Sequence, residues 1–533
     1  MIRTPTCEGF SDLYLRSTQW RDGAALFADE GERLSGPEAL AASLRLAQAY
    51  AAHGAGEGDV VAFLCKSSAR HAVAWAAAPL SGRVACNLHV RETGARLGET
   101  LAWLDARILV HDADLESEAA AAIHESGRTI ARLSLGTRGA AAASYDDIVA
   151  GGAPFDVVSD RPKPGANAAI ILSSGTTGRP KGIVHTQASL LETAKGGQLV
   201  FGPVTPHDAT ILFMQPSFAA WAVIMLPFLG GKAKTYFGQV FTPAGFLAAV
   251  AREKITMAPL VPTMWRMVFE ASPGSYDLSS LKLATISGEP PAPSDIDKLK
   301  RLICPRITAP YLSSEAFTGS PVLAFTEDLS MPDKIGSSAR PGVGTDVRIL
   351  DPAGMAERPN GESGEISVSG PSLAKGYWKD SAETMRRFVD GWWRSGDLGR
   401  IDKDGYVWVE GRIDNIINSG GIKISGEEVE KAILAHPSVV QCAVIGQKDE
   451  KFGQRIEAYV VARAPAPAAA EIDAWLRAQG RIASFKIPKA FHFVEALPTG
   501  PTGKLDASIY TAVSAERTYG GVDFHRIGGA FVA

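Results

Sequence analysis

The chain has 533 residues, 46% of them hydrophobic and 21% charged, with a formal net charge of −4. That length fits roughly two to four structural units of about 100–200 residues each, and the composition excludes a disordered or fibrous chain. The slight acidic excess gives no sign of the strong basic surplus usual in a nucleic-acid binder, so no nucleic-acid partner is expected. Cys7, Cys65, Cys86, Cys304 and Cys442 are scattered and form no C-x-x-C pair. They are expected as reduced thiols of a cytoplasmic protein with no zinc site.

The N-terminus leads into polar sequence with no signal-peptide core. Ser35-Gly36-Pro37-Glu38 predicts a helix start: a capping Ser, a Pro just inside, and a Glu three residues on. Leu40, Leu44 and Ala47 then recur at helical spacing. Residues 59–64 predict a buried strand, 71–80 a helix, 84–88 a second strand, and 168–172 a strand that runs into a Gly-rich loop. Strand–helix–strand order argues for α/β layers with largely parallel sheets. The apolar stretches at 72–80 and 222–230 are too short to span a bilayer. Between 336 and 409, short strands at 347–350, 365–368 and 406–409 alternate with Gly, Pro and Asp turns and predict a β-rich subdomain. Beyond Asp414 come a helix at 427–434, strands at 439–445 and 458–462, and a helix at 471–478. The expected fold class is therefore α/β, with a large N-terminal domain (residues 1–413) and a small α+β C-terminal domain (residues 414–533).

Ser173-Ser174-Gly175-Thr176-Thr177-Gly178-Arg179-Pro180-Lys181-Gly182 is the most informative segment. Its glycines allow tight turns that present backbone N–H groups. Its hydroxyls add donors, and Arg179 and Lys181 add positive charge. The combination suits polyphosphate, although no Gly-Lys-Ser/Thr follows at Walker spacing. By composition alone, an ordinary surface turn fits as well.

The order of those residues closely resembles the signature loop of the adenylate-forming superfamily, which comprises acyl-CoA ligases, peptide-synthetase adenylation domains and luciferases. Further motifs follow in the family's order. Gly288-Glu289-Pro290 resembles the adenine-binding turn, Tyr311-Leu312-Ser313-Ser314-Glu315 the Tyr-Gly-x-Thr-Glu motif, and Trp393-Arg394-Ser395-Gly396-Asp397 the ribose element. Gly411-Arg412-Ile413-Asp414 resembles the hinge, and Pro498-Thr499-Gly500-Pro501-Thr502-Gly503-Lys504 the C-terminal lysine motif. The resemblance implies a mobile C-terminal domain that pivots at Asp414.

It also implies roles. ATP and Mg2+ are expected in the site, with Glu315 as the metal ligand. Glu315, Thr176 and Lys504 are the expected catalytic residues. Ser173, Ser174, Gly175, Thr177, Gly178, Lys181, Gly288, Glu289, Pro290, Tyr311, Ser314, Asp397 and Arg412 are the expected nucleotide contacts. For Arg412 a structural salt bridge is the alternative, and both can hold. Gly420, Gly421 and Lys423 are expected to meet coenzyme A, with an ordinary hairpin turn as the alternative for the glycine pair. Ser314 stands where the family has Thr, and Leu312 where it has Gly, which alters the acyl pocket. Phe218, Ala219, Ala220, Trp221, Leu312 and Ser287 are candidates to line that pocket, with a plain core position as the alternative for each. Relatives that activate amino acids place an Asp four residues before a Trp; here Ser217 precedes Trp221 by four. An unpaired buried ammonium is costly, so an aromatic or short-to-medium aliphatic acid is expected. Three readings stand: an acyl-CoA ligase, an adenylating enzyme that loads a separate carrier protein, and an inactive nucleotide-binding regulator. The first is favoured, as a monomer or homodimer.

Overall fold

The structure is a computed structural model that describes residues 6–19, 24–136, 138–157, 161–173, 180–288, 291–318, 321–419, 422–449, 453–479, 482–497, 525–527 and 530–532. It divides into two compact units. The larger takes in residues 1–347, 367–394 and 405–407, and the smaller residues 348–366, 395–404 and 408–533.

Two large sheets build the first unit. One has eight strands in the order Gly376–Tyr377, Lys181–Thr186, Asn167–Ser173, Val84–Asn87, Val60–Leu64, Ile108–His111, Ala131–Ser134 and Ala143–Ser144. Its strands from Asn167–Ser173 to Ala143–Ser144 are parallel neighbours, as the strand–helix–strand rhythm predicts. The other sheet has nine strands. Its centre, from Ile307–Tyr311 through Leu283–Ile286, Met257–Leu260, Ala209–Leu212 and Lys234–Phe237 to Ala25–Ala28, is parallel. Parallel strands covered by helices are buried throughout, which explains unbroken apolar runs such as Val60–Leu64.

The helix Gly36–Ala52 begins as predicted. Ser35 Oγ accepts from the Glu38 N–H, and Glu38 Oε2 accepts from the Ser35 N–H at 2.8 Å. The helix at 71–80 starts two residues earlier than predicted, at Ala69, because Ser68 caps it by accepting from the His71 N–H.

In the smaller unit, strands Ile422–Ser425, Ile416–Ser419, Gly453–Ala462 and Val439–Asp449 form an ordered sheet, and Ala490–Phe493 adds in parallel to Gly453–Ala462. The long hairpin Val439–Asp449/Gly453–Ala462 extends well past the predicted 439–445 and 458–462. Its outer turns are polar, and apolar content alone marks only the buried halves of the strands. Helices Gly426–Leu434 and Ala469–Gln479 supply Val429, Ile433, Ile472 and Leu476 to the core against Cys442, Val444, Ala458 and Val460. Among the described residues no helix is long and apolar enough to cross a membrane.

Candidate active site

The Gly-rich segment joins two antiparallel strands. Ser173 ends one and lies opposite Lys181, which begins the next. Ser174, Gly175, Thr176, Thr177 and Gly178 lie outside the described residues, as do Glu289, Pro290, Gly420, Gly421 and Lys504.

Lys181 is described and well held. Its Nζ donates to Glu383 Oε1 at 2.7 Å and stands 5.5 Å from the Tyr377 ring centroid. Burial pushes the Glu383 carboxyl up, but hydrogen bonds from Arg386 and Lys181 outweigh it and hold it at about 2. Tyr377 forms a two-residue strand against Ile183–Val184, and its hydroxyl donates to Glu315 Oε1 at 3.1 Å. Lys181 and Glu315, 134 positions apart in the chain, thus meet around one phenol ring.

Tyr311 ends the strand Ile307–Tyr311, and Gly288 follows the neighbouring strand Leu283–Ile286. Both stand at carboxyl ends of parallel strands, where open α/β sheets bind ligands. Gly288 has φ +96°, a left-handed conformation that favours glycine. Ser314 and Glu315 lie in the turn after Tyr311. His185 Nε2 lies 2.8 Å from the Ser314 carbonyl oxygen. A carbonyl only accepts, so Nε2 carries the proton. Burial pushes the imidazole down to about 4, so it is neutral at ordinary pH.

Among the acyl-pocket candidates, Phe218, Ala219, Ala220 and Leu312 are partly exposed. Phe218 meets the edge of His89 with ring centroids 5.9 Å apart. Trp221 is fully enclosed: it packs on His71, Trp75 and Phe237, and its indole N–H donates to Ser67 Oγ at 3.0 Å. It occupies the core position that was the alternative for it.

In the smaller unit, the Asp397 carboxylate accepts from Arg412 Nη1 at 2.9 Å, and Arg412 Nη1 also donates to the Ser395 carbonyl at 3.2 Å. The structural salt bridge considered for Arg412 is present. The Asp397 N–H donates to Ser395 Oγ, and the Gly396 N–H to Glu365 Oε1 at 3.0 Å. Gly411 has φ +143°, and a Cβ there would sit 2.5 Å from Glu427 Oε2, so only glycine fits this approach to the small sheet. Asp414 lies in the single 3-10 turn Ile413–Asn415, and Lys423 in the strand Ile422–Ser425. Ser419 pairs with Ile422.

The donor set suits magnesium brought in by a nucleotide. Among the described residues no group of three or more His, Cys, Asp or Glu side chains could cage a metal. Magnesium commonly takes one or two protein carboxylates and fills its octahedron with phosphate and water. Glu315, tethered and partly exposed, fits that demand.

Sequence reasoning passed over Tyr377, His185 and Glu383. Each is remote in the chain from the motif it supports, and no spacing rule links a lone Tyr or His to a turn more than 60 residues away.

The family models and curated relatives that the chain matches make it an acid–thiol ligase of the ATP-dependent, AMP-forming class. Residues 15–378 match the family model described as AMP-binding enzyme, and residues 428–504 match that of the AMP-binding enzyme C-terminal domain. The chain is similar to a feruloyl-CoA synthase of Amycolatopsis sp, 33% identical over 93% of this chain and 97% of that one. It is also similar to a sulfoacetate–CoA ligase of Cupriavidus necator, 31% identical over 92% and 95%. The ATP-bound crystal structure of MatB from Rhodopseudomonas palustris shares its mixed α/β fold, a large N-terminal and a smaller C-terminal domain, with a TM-score of 0.83, 26% identity and coverage of 95% and 99%. The chain belongs to the AMP-binding enzyme family.

Proposed function

We propose that this enzyme is an acyl-CoA ligase that converts an aromatic or short-to-medium aliphatic acid first to its acyl-adenylate and then to its coenzyme A thioester. The observation that carries the reading is the junction of Glu315, Tyr377 and Lys181 beside the Gly-rich loop. A carboxylate and a polyphosphate repel each other, so adenylation needs fixed cations and dipoles at the reacting centre.

In the first step an oxygen of the acid bonds to the α-phosphorus while the bond from that phosphorus to the bridging oxygen breaks, and pyrophosphate leaves. Magnesium, when bound, neutralises phosphate charge and orients the leaving group. Glu315 would be the side chain that holds the metal. Thr176 and its neighbours Ser173, Ser174, Gly175, Thr177 and Gly178 donate to phosphate oxygens, and Lys181 stiffens the base of the loop through Glu383. Gly288, Glu289, Pro290, Tyr311 and Ser314 surround the adenosine, and Asp397 accepts from the ribose hydroxyls, with Arg412 holding that carboxylate in place. Lys504 bridges the acid and the α-phosphate.

In the second step the thiolate of coenzyme A attacks the acyl carbon, the carbon–oxygen bond to phosphate breaks, and AMP leaves. The reading assigns Asp414 the pivot between residues 1–413 and 414–533, Gly420 and Gly421 the room for the pantetheine arm, and Lys423 a coenzyme A phosphate. Phe218, Ala219, Ala220 and Leu312 form the acyl surface. The feruloyl and sulfoacetyl groups named for two relatives differ in size and charge, and Ser217 offers no negative charge to pair an α-ammonium.

The test is a panel of carboxylic acids assayed for pyrophosphate release, with and without coenzyme A. Acid-dependent release with thioester formation supports the reading, and thioester formation only on an added carrier protein refutes the coenzyme A step. Lys504→Ala should abolish pyrophosphate release yet largely spare thioester formation from preformed acyl-adenylate. Equal loss of both would remove Lys504 from its role.

A further inference from the structure

The turn that carries Glu315 is pinned at three successive carbonyls by two distant parts of the chain, His185 and the segment from Ser372 to Ala374. The Ser314 oxygen accepts from His185 Nε2 at 2.8 Å, the Glu315 oxygen from the Ala374 N–H at 2.7 Å, and the Ala316 oxygen from Ser372 Oγ. Phe317, next in line, adopts φ +49°, and the His185 imidazole lies flat on its ring at 3.8 Å. A non-glycine residue in that region is strained and persists only where its surroundings over-determine it. Here the stack and the three hydrogen bonds do so.

A fixed backbone does not fix a glutamate carboxylate, which still turns about three side-chain bonds. Tyr377 supplies a constraint on the carboxylate itself. Its hydroxyl donates to Glu315 Oε1 at 3.1 Å. Tyr377 is itself held: its backbone pairs with Ile183–Val184, its N–H donates to Thr384 Oγ1 at 2.9 Å, and its ring makes a T-shaped contact with Phe388 with centroids 5.6 Å apart. On the other side, Lys181 Nζ approaches the ring to 5.5 Å while paired to Glu383. A phenol is neutral, so it orients a carboxylate without neutralising it. Partners of this kind fix the geometry of metal-binding carboxylates and histidines, and their loss costs roughly 10–100-fold in metal affinity.

We propose that Tyr377 is a positioning residue that aims the Glu315 carboxylate at the nucleotide-borne magnesium and ties it to the base of the phosphate loop at Lys181. The inference rests on the reading of Glu315 as the metal ligand.

The experiment is calorimetric titration of a non-hydrolysable ATP analogue into the full-length enzyme at graded magnesium, with no acid present. The variants are Tyr377→Phe, Glu315→Gln and the double variant. Tyr377→Phe keeps the ring, its Phe388 contact and its face toward Lys181; a melting curve checks that it folds. The expected result is about a ten-fold rise in the magnesium concentration for half-saturation, with analogue affinity at saturating magnesium unchanged. In the Glu315→Gln background, Tyr377→Phe should add nothing. If Glu315→Gln shifts the magnesium response and Tyr377→Phe does not, or if the two effects add fully, Tyr377 has no positioning role while the reading of Glu315 survives. If Glu315→Gln leaves the response unchanged, both fall.

Discussion

Glu315 and Asp397 are both carboxylates in loop-rich motifs, and the chain supports them in opposite ways. Glu315 is gripped by a neutral phenol, and its backbone is tied to His185, Ser372 and Ala374, all far off in sequence. Asp397 is gripped by the Arg412 guanidinium, 15 residues on, with Ser395 two residues back capping its N–H. A carboxylate that is to hold a metal needs its negative charge, which a neutral donor leaves intact. A carboxylate that is to accept from ribose hydroxyls needs lone pairs and a fixed direction, and tolerates a cation nearby. The described side-chain partner of each carboxylate fits the role proposed for it.

The sharpest way to break this comparison is to remove each charge. Glu315→Gln should lower the adenylation rate roughly 100-fold or more, because the metal's share of transition-state stabilisation is several kcal/mol. The check is pyrophosphate release at varied magnesium, and an unchanged rate would detach Glu315 from the chemistry. Asp397→Ala should act on nucleotide binding, raising the KM for ATP about ten- to a hundred-fold, since hydrogen bonds to a charged group are worth about 1.5–3 kcal/mol each. Steady-state kinetics in ATP read this directly.

Arg412→Met separates the guanidinium's two possible tasks. Its side chain is 48% exposed, so the salt bridge itself stabilises by no more than about 1 kcal/mol. Denaturant unfolding should therefore change little, while the KM for ATP rises if the pair orients Asp397.

The smallest expected effect lies in the core of the smaller unit. Burial, with a further push from Glu427, raises Glu430 to about 7, although it accepts from the Val444 N–H. Its folded value lies above its ordinary value of 4.5, so its favourable contribution is full below about 4.5 and is lost as pH rises through 7. Buried His185 behaves oppositely. Its value is lowered from 6.5 to about 4, so its contribution is present above 6.5 and is lost as pH falls toward 4. Glu430→Gln should raise the melting temperature relative to the parent at pH 8, by roughly 5 °C, and not at pH 5. An equal change at both would mean that this carboxyl does not titrate in the fold.

The same contrast explains what could be read from the residues. Strands such as Val60–Leu64 and the capped helix Gly36–Ala52 follow from local patterns of apolarity and hydrogen bonding, and their positions match within a residue or two. The neighbourhood of Asp397 is nearly as local, so the Arg412 pairing could be weighed in advance. The support of Glu315 is not local. Tyr377 sits in a two-residue strand with no periodicity of its own, and it reaches the site only because the edge of the eight-stranded sheet carries it there. His185 reads as one more residue of a β-strand. Trp221 shows the converse: a motif position suggests a ligand surface, and packing on Trp75 and Phe237 encloses it completely.

The central claim is that an oxygen of the acid becomes bonded to the α-phosphorus of ATP. Incubating the enzyme with ATP, coenzyme A and an accepted acid carrying oxygen-18 in its carboxyl group tests it, with mass spectrometry of the nucleotide product. The account predicts AMP bearing one heavy oxygen, left behind when the thiol takes the acyl group. Unlabelled AMP, or ADP as the nucleotide product, would contradict it.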